Sequence, residues 1–310
     1  MRVCFFGSEE FSLPVVKAVV RGGLDLCCVV TKPDAPRGRG KSVSETVVAE
    51  FGKCMSVPVL KPSSLRGGEF ASVLSSFAPD VAVVCSYGRI LPESVLSVPR
   101  LGCVNVHPSM LPEYRGATPI ETAIMDGRDM TGISIFLMDS GCDTGDLLLQ
   151  REFAILPDDT RETLRNRMAP EAASLLMEAL AGLEDGSLKP VPQASSGASL
   201  TRLISKGDLP VDWTLPSFCI ANRIRALWPS PGARTVIRGK NVLLGPARPL
   251  TDGRTGEPGT VLDVVKNEGV CVASGDGALL LGDLKPEGKR IMTSWQFACG
   301  CRLEKGEKIG

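Results

Sequence analysis

One histidine, His107, stands among 310 residues. A lone imidazole cannot complete the usual His-containing zinc sets, so any imidazole chemistry is confined to one place. Cysteine does not make up the deficit. The eleven cysteines are scattered, none in the paired C-x-x-C spacing of a zinc site, and they read as small buried hydrophobes in a reducing compartment. No metal site is expected. Long apolar runs are missing too: no stretch approaches the roughly 18 uninterrupted apolar residues of a membrane span. The opening M-R-V-C-F-F-G-S enters a strand directly, without a cleavable signal, so the expected location is the cytoplasm, with no membrane partner. After that first strand only Gly7 marks the turn, and the G-x-G-x-x-G fingerprint of a dinucleotide site is absent.

Net charge is also lacking, at a formal zero, but the balance is uneven. Residues 206–310 carry 15 Lys and Arg against 11 Asp and Glu, net +4, which leaves the preceding residues at net −4. A modestly basic tail is able to meet a polyanion. Hydrophobic residues at 43% and charged residues at 23% give a globular balance, and 32.9 kDa is enough for two domains.

What the chain does contain is concentrated between Gly102 and Pro119, G-C-V-N-V-H-P-S-M-L-P-E-Y-R-G-A-T-P. Residues two apart in a strand share a face, so Asn105 and His107 project together as an amide and an imidazole. Pro108 stops the strand, having no N–H for the ladder. Taken alone, a histidine there is more often a hydrogen-bonded structural residue. A second cluster follows the strand Thr131–Met138, in the turn D-S-G-C-D-T-G-D, where Asp139, Asp143 and Asp146 are spaced by Gly141 and Gly145. A carboxylate beside an imidazole holds one tautomer and stabilises the protonated ring, the supporting role acids play in acyl transfer. Each aspartate singly is also an ordinary turn residue. Cys142 sits among carboxylates, which raise a thiol pKa, and is not read as a nucleophile.

N-V-H-P-S-M-L-P, then Y-R-G-A-T-P, then D-S-G-C-D-T-G-D resembles the active-site signature of the folate-dependent formyltransferases, over nearly the whole chain. The resemblance is strongest to the members that act on methionyl-tRNA. It implies catalytic Asn105, His107 and Asp143, the last chosen over Asp139 and Asp146 by its place in the motif. It also implies a folate-contacting loop at Ser109, Met110, Leu111 and Pro112, 10-formyltetrahydrofolate as formyl donor, and charged initiator tRNA as acceptor, on a chain acting as a monomer.

The remaining pattern is consistent with that. Arg2–Phe6, Leu24–Thr31, Val57–Leu60 and Asp80–Tyr87 read as strands alternating with helices, which predicts an α/β, Rossmann-like, mostly parallel sheet covered on both faces. Ligands bind beyond the carboxyl ends of such strands, where Asn105 and His107 lie. The loop T-K-P-D-A-P-R-G-R-G-K at 31–41 carries Lys32, Arg37, Arg39 and Lys41. It is either a solvated charge run or a phosphate-gripping arm, and in the resembled family a basic loop there meets the acceptor end of tRNA. Lys206 is a further candidate tRNA contact. A helix from about Thr160 to Leu183 is expected to kink or break at Pro170. The Gly-, Pro- and Ser-rich stretch 185–206 predicts a linker between a catalytic domain at 1–184 and a tail at 207–310. The tail's helix over Phe218–Leu227 and five or so short strands predict a small OB-like barrel that binds tRNA. V-D-W-T, R-I-R-A-L and W-P-S-P-G-A there resemble the entry to the family's C-terminal domain. Two other readings remain open on these residues: a relative acting on a small substrate or hydrolysing formyl-folate, and an RNA-binding protein with a catalytically silent first domain.

Overall fold

A computed structural model describes residues 1–37 and 42–310. It divides into two compact units, one of residues 1–119, 130–154 and 165–201, the other of 120–129, 155–164 and 202–310. The first unit is a seven-stranded sheet of β1 (Arg2–Gly7), β2 (Asp25–Val30), β3 (Val59–Leu60), β4 (Val81–Cys85), β5 (Cys103–His107), β6 (Met130–Leu137) and β7 (Leu147–Ala154), ordered β7-β6-β5-β4-β1-β2-β3. Strands β1 to β5 are parallel, while β6 runs antiparallel to β5 and β7 antiparallel to β6.

Parallel strands reach their neighbours through crossover helices, which cover both faces, so both sets of alternating side chains must be apolar. In β1, Val3 to Phe6 are all fully buried. Cys4 and Phe6 join Cys28, Val30, Ala82 and Val84 in a core closed by Phe70 and Leu74 of Glu69–Ser75 and by Val95 and Leu96 of Glu93–Leu96. Helices α1 (Ser12–Arg21) and α2 (Val47–Cys54) bury Val15, Val16, Val19, Val48 and Ala49. Gly52 of α2 lies where a Cβ would sit 2.6 Å from Val29 Cγ2 and 2.9 Å from Val59 Cγ2. Five cysteines, Cys4, Cys27, Cys28, Cys85 and Cys103, are buried among these strands, whereas Cys54, Cys142, Cys219 and Cys299 are exposed, against their reading as buried hydrophobes.

The helix Arg161–Glu184 is continuous through Pro170, against the expected break. Its start is fixed as the sequence suggests, with the Thr163 N–H donating to Thr160 Oγ1 at 3.2 Å. Within the first unit Met168, Ala169, Ala172, Ala173, Leu176 and Leu180 are buried along it. That packing offsets a proline cost of about 3 kcal/mol.

The second unit has one core, which Ile220, Ile224 and Leu227 of Ser217–Leu227 share with Trp213, Val242, Leu244, Val261, Val270, Leu279 and Phe297. Its strands are antiparallel and form two four-stranded sheets. The apolar run Ala278–Leu284 divides at Gly282 into the strands Ala278–Leu281 and Asp283–Pro286, which belong to different sheets. Ala247–Leu250, with Pro249 inside, is also a strand, at a sheet edge where a missing N–H is tolerated.

Alanine in place of glycine usually stabilises an α-helix by about 1 kcal/mol. Gly52→Ala is expected to do the reverse, lowering unfolding free energy by about 1–3 kcal/mol through overpacking against β2 and β3. Urea unfolding of the two proteins checks this; an unchanged or higher midpoint would refute the packing argument.

Candidate active site

His107 ends β5, and Asn105 precedes it by two residues on the same face. The histidine is buried, at 5% exposure, with its ring edge-on to Phe136 of β6. Its Nε2 lies 3.0 Å from the carbonyl oxygen of Tyr114. A carbonyl oxygen only accepts, so Nε2 carries the hydrogen and donates. Nδ1 is 3.7 Å from Asp143 Oδ2. In the neutral ring those two atoms are facing acceptors, and a proton taken up at Nδ1 turns them into an ion pair. The Asn105 side-chain amide, half-buried, makes no hydrogen bond among the described residues. It leaves an amide donor without a protein partner at a strand end.

The three aspartates of the acidic turn separate in role. Asp139 accepts from Thr144 Oγ1 at 2.7 Å and from the Gly141 N–H at 3.0 Å, capping its own turn. Asp146 is exposed, and its carbonyl accepts from the Leu137 N–H. Of the three, Asp143 reaches the imidazole. The oxygen facing the ring also accepts from the Gly116 N–H at 2.7 Å, which fixes the carboxylate. Asp143 has φ +53°, in the left-handed region. Partial burial and the Asp143 carboxylate push the Cys142 thiol up, in line with its reading as a non-nucleophile.

The loop after β5 is clamped to the sheet. Ser134 of β6 is fully buried; its hydroxyl donates to the Ser109 carbonyl at 2.6 Å and accepts from the Leu111 N–H at 3.0 Å. Gln150 of β7 donates through Nε2 to Ser134 Oγ and to the Leu111 carbonyl, both at 2.8 Å. Ser109 is fully buried and its hydroxyl donates to the Glu113 carbonyl, Leu111 is 3% exposed, and the Met110 side chain lies over Gly132, which has no Cβ to block it. Ser109 and Leu111 therefore point inward, and the loop presents its backbone, Pro112 and the part-exposed Met110. Among the other candidates, Lys206 is exposed on the short turn Lys206–Asp208, and Arg37 ends the short strand Ala35–Arg37. Arg39 and Lys41 lie outside the described residues.

The stretch expected to be a linker contributes to the site. Gln193 Nε2 donates to the carbonyls of Asp143 and Gly145, both at 2.8 Å, and its Oε1 accepts from Arg115 Nε at 3.1 Å and Nη2 at 2.7 Å. Ser199 Oγ accepts from the Tyr114 N–H at 2.8 Å, and Leu200–Thr201 pairs in parallel with Arg115–Gly116. Gly116, at φ +106°, leaves no room for another residue, since a Cβ would sit 2.6 Å from the Thr201 carbonyl oxygen. Ser134, Gln150, Gln193 and Ser199 carry no sequence signal beyond being polar in apolar or loop surroundings.

A family described as formyl transferase matches residues 1–180, and its C-terminal domain matches residues 203–302. The methionyl-tRNA formyltransferase of Myxococcus xanthus is 44% identical over 307 residues, covering 99% of this chain and 97% of that protein. That of Solibacter usitatus is 39% identical over 310 residues, covering 100% and 99%. Among solved structures, HypX from Aquifex aeolicus in complex with tetrahydrofolic acid aligns with TM-score 0.68 at 21% identity, over 99% of this chain and 48% of that one. WlaRD, a sugar 3N-formyl transferase solved in the presence of dTDP and 5-N-formyl-THF, aligns with TM-score 0.67 at 16% identity, over 94% and 99%. Those two likenesses establish a shared fold. Carrying both of these domains and matched from end to end at this identity, the chain belongs to the methionyl-tRNA formyltransferase family.

Proposed function

We propose that this protein transfers the formyl group of 10-formyltetrahydrofolate to the amino group of methionine on charged initiator tRNA, in support of translation initiation. The single observation that carries the reading is the convergence of Asn105, His107 and Asp143 at the carboxyl end of β5, with one amide uncommitted and one imidazole held between a carbonyl and a carboxylate. The transfer forms a bond between the amine nitrogen and the formyl carbon. It breaks the bond from that carbon to folate N10, and moves one proton from the amine to N10. The Asn105 amide donates to the formyl oxygen as negative charge grows there, a contribution of about 3 kcal/mol to the barrier for a well-placed donor. The Nε2 hydrogen is committed to Tyr114, so proton uptake falls to Nδ1, directly or through a water, with Asp143 stabilising the imidazolium. The pair then returns the proton to N10. With Ser109 and Leu111 turned inward, backbone groups, Met110 and Pro112 are left to support the folate, which suits a flat, partly apolar ligand. No step calls for a metal.

The acceptor assignment rests on end-to-end identity of about 40% to relatives of that name, against 16% to the sugar formyl transferase. Formyl transfer to methionyl-tRNA, with glycinamide ribonucleotide as the control acceptor, tests it.

His107→Ala and Asn105→Ala are each expected to slow transfer by roughly 10²–10³-fold, with circular dichroism unchanged. Rates within about tenfold of the parent would move the chemistry elsewhere. Asp143→Asn should fall with them, while Asp139→Asn and Asp146→Asn keep most activity. If Asp146→Asn were the slow variant instead, the wrong carboxylate has been chosen.

Neutralising Arg37, Arg39, Lys41 and Lys206 together should weaken tRNA binding and leave folate binding alone. For every phosphate that goes unneutralised, the plot of log affinity against log salt should flatten by about 0.7–0.9. Equal tRNA affinity and slope in the variant and the parent would favour a small amine as acceptor.

A further inference from the structure

We propose that Gln193, in the stretch between the two family domains, is a positioning residue that sets Asp143 and the Tyr114 carbonyl on opposite sides of the His107 ring. The proposal rests on the reading of Asn105, His107 and Asp143 as the reacting groups. Gln193 is half-buried in a run of exposed residues. All the hydrogen-bonding capacity of its amide is used on two separate loops. The NH2 group holds the carbonyls of Asp143 and Gly145, which bracket the turn, and the oxygen takes two N–H groups of the Arg115 guanidinium.

Both loops matter to the imidazole. Asp143 faces Nδ1 from a left-handed backbone conformation that an aspartate does not favour unaided, and the bonds to the Asp143 and Gly145 carbonyls stabilise that turn. Arg115 stands between Tyr114, whose carbonyl takes the Nε2 hydrogen, and Gly116, whose N–H holds the Asp143 carboxylate. A single amide thus sets the spacing between the acceptor on one side of the ring and the acid on the other. Glutamate keeps the Arg115 bonds but presents oxygen to two carbonyls, and methionine keeps the shape with neither bond. Gln193 touches no reacting atom, and its effect passes through Asp143 and Tyr114.

The test uses the full chain with Gln193→Ala, Gln193→Glu and Gln193→Met, Ser196→Ala as the control in the same stretch, and the double variant Gln193→Ala/Asp143→Asn. kcat and KM are measured for formyl donor and for methionyl-tRNA, with thermal melts alongside. Gln193→Ala is expected to lower kcat by roughly 10- to 100-fold, as a displacement of about 1 Å does, with both KM values within about threefold and Ser196→Ala at the parent rate. The double variant should be slowed by clearly less than the product of the two single losses, because part of the glutamine's effect acts through that carboxylate and the rest through Tyr114. Additive losses in the double variant, a kcat equal to the parent's, or a loss confined to KM for tRNA would each overturn the proposal. If Gln193→Ala fails to fold, Gln193→Glu carries the same cycle. A silent Asp143→Asn marks failure of the site reading itself, whereas a slow Asp143→Asn beside a silent Gln193→Ala marks failure of this proposal alone.

Discussion

The hydrogen bond from His107 Nε2 to the Tyr114 carbonyl decides what the rest of the site can do. It assigns the ring hydrogen to Nε2 and leaves Nδ1 as the atom able to gain a proton, toward Asp143. Such a bond needs the Tyr114 carbonyl to turn back onto the strand end, and Tyr114 does so at φ +57°. A chain of fixings holds that conformation. Ser134 and Gln150 anchor the loop where it leaves β5, Ser199 takes the Tyr114 N–H, and Thr201 accepts from the Thr118 N–H at 3.1 Å. Strain at a functional site persists only where its surroundings over-determine it. Here they come from β6, β7 and a segment some eighty residues further along the chain.

Much of the sheet is legible in the sequence because its cause is local. Strands covered on both faces must be apolar throughout, and Val3–Phe6 and Val81–Cys85 show it without reference to anything distant. Asn105 and His107 are legible for a related reason, since a spacing of two in a strand dictates a shared face. The clamps are not legible. Gln150 and Gln193 bind backbone carbonyls up to fifty residues away, and no periodicity records which carbonyl a polar side chain will meet. The same distance effect hides the edge strand Ala247–Leu250, whose proline reads as a breaker until its place at the sheet edge is known. Pro170 shows the converse, a local cost outweighed by tertiary packing along Arg161–Glu184.

Composition alone makes a linker of the stretch 185–206. Gly, Pro and Ser do give a chain that bends at little cost, but they also leave its backbone groups available for pairing. Ser199 and Leu200–Thr201 use theirs on the loop Pro112–Gly116. Flexible composition and a fixed position are compatible when the partners are backbone groups, because small residues let two segments approach closely. Gly116 against the Thr201 carbonyl is that approach.

Asn105 sets the limit of this matching. Its half-buried side-chain amide has no protein partner among the described residues. A buried polar group without a partner costs about 1–3 kcal/mol, less when half-exposed as here. On the proposed mechanism the amide's hydrogens serve the formyl oxygen, which the folded chain does not itself supply. A donor satisfied within the protein would have to break that bond as charge develops on a substrate, and would lose most of its advantage over water. An uncommitted amide on a rigid strand, two residues from an imidazole already fixed on both sides, avoids that cost at the moment of reaction.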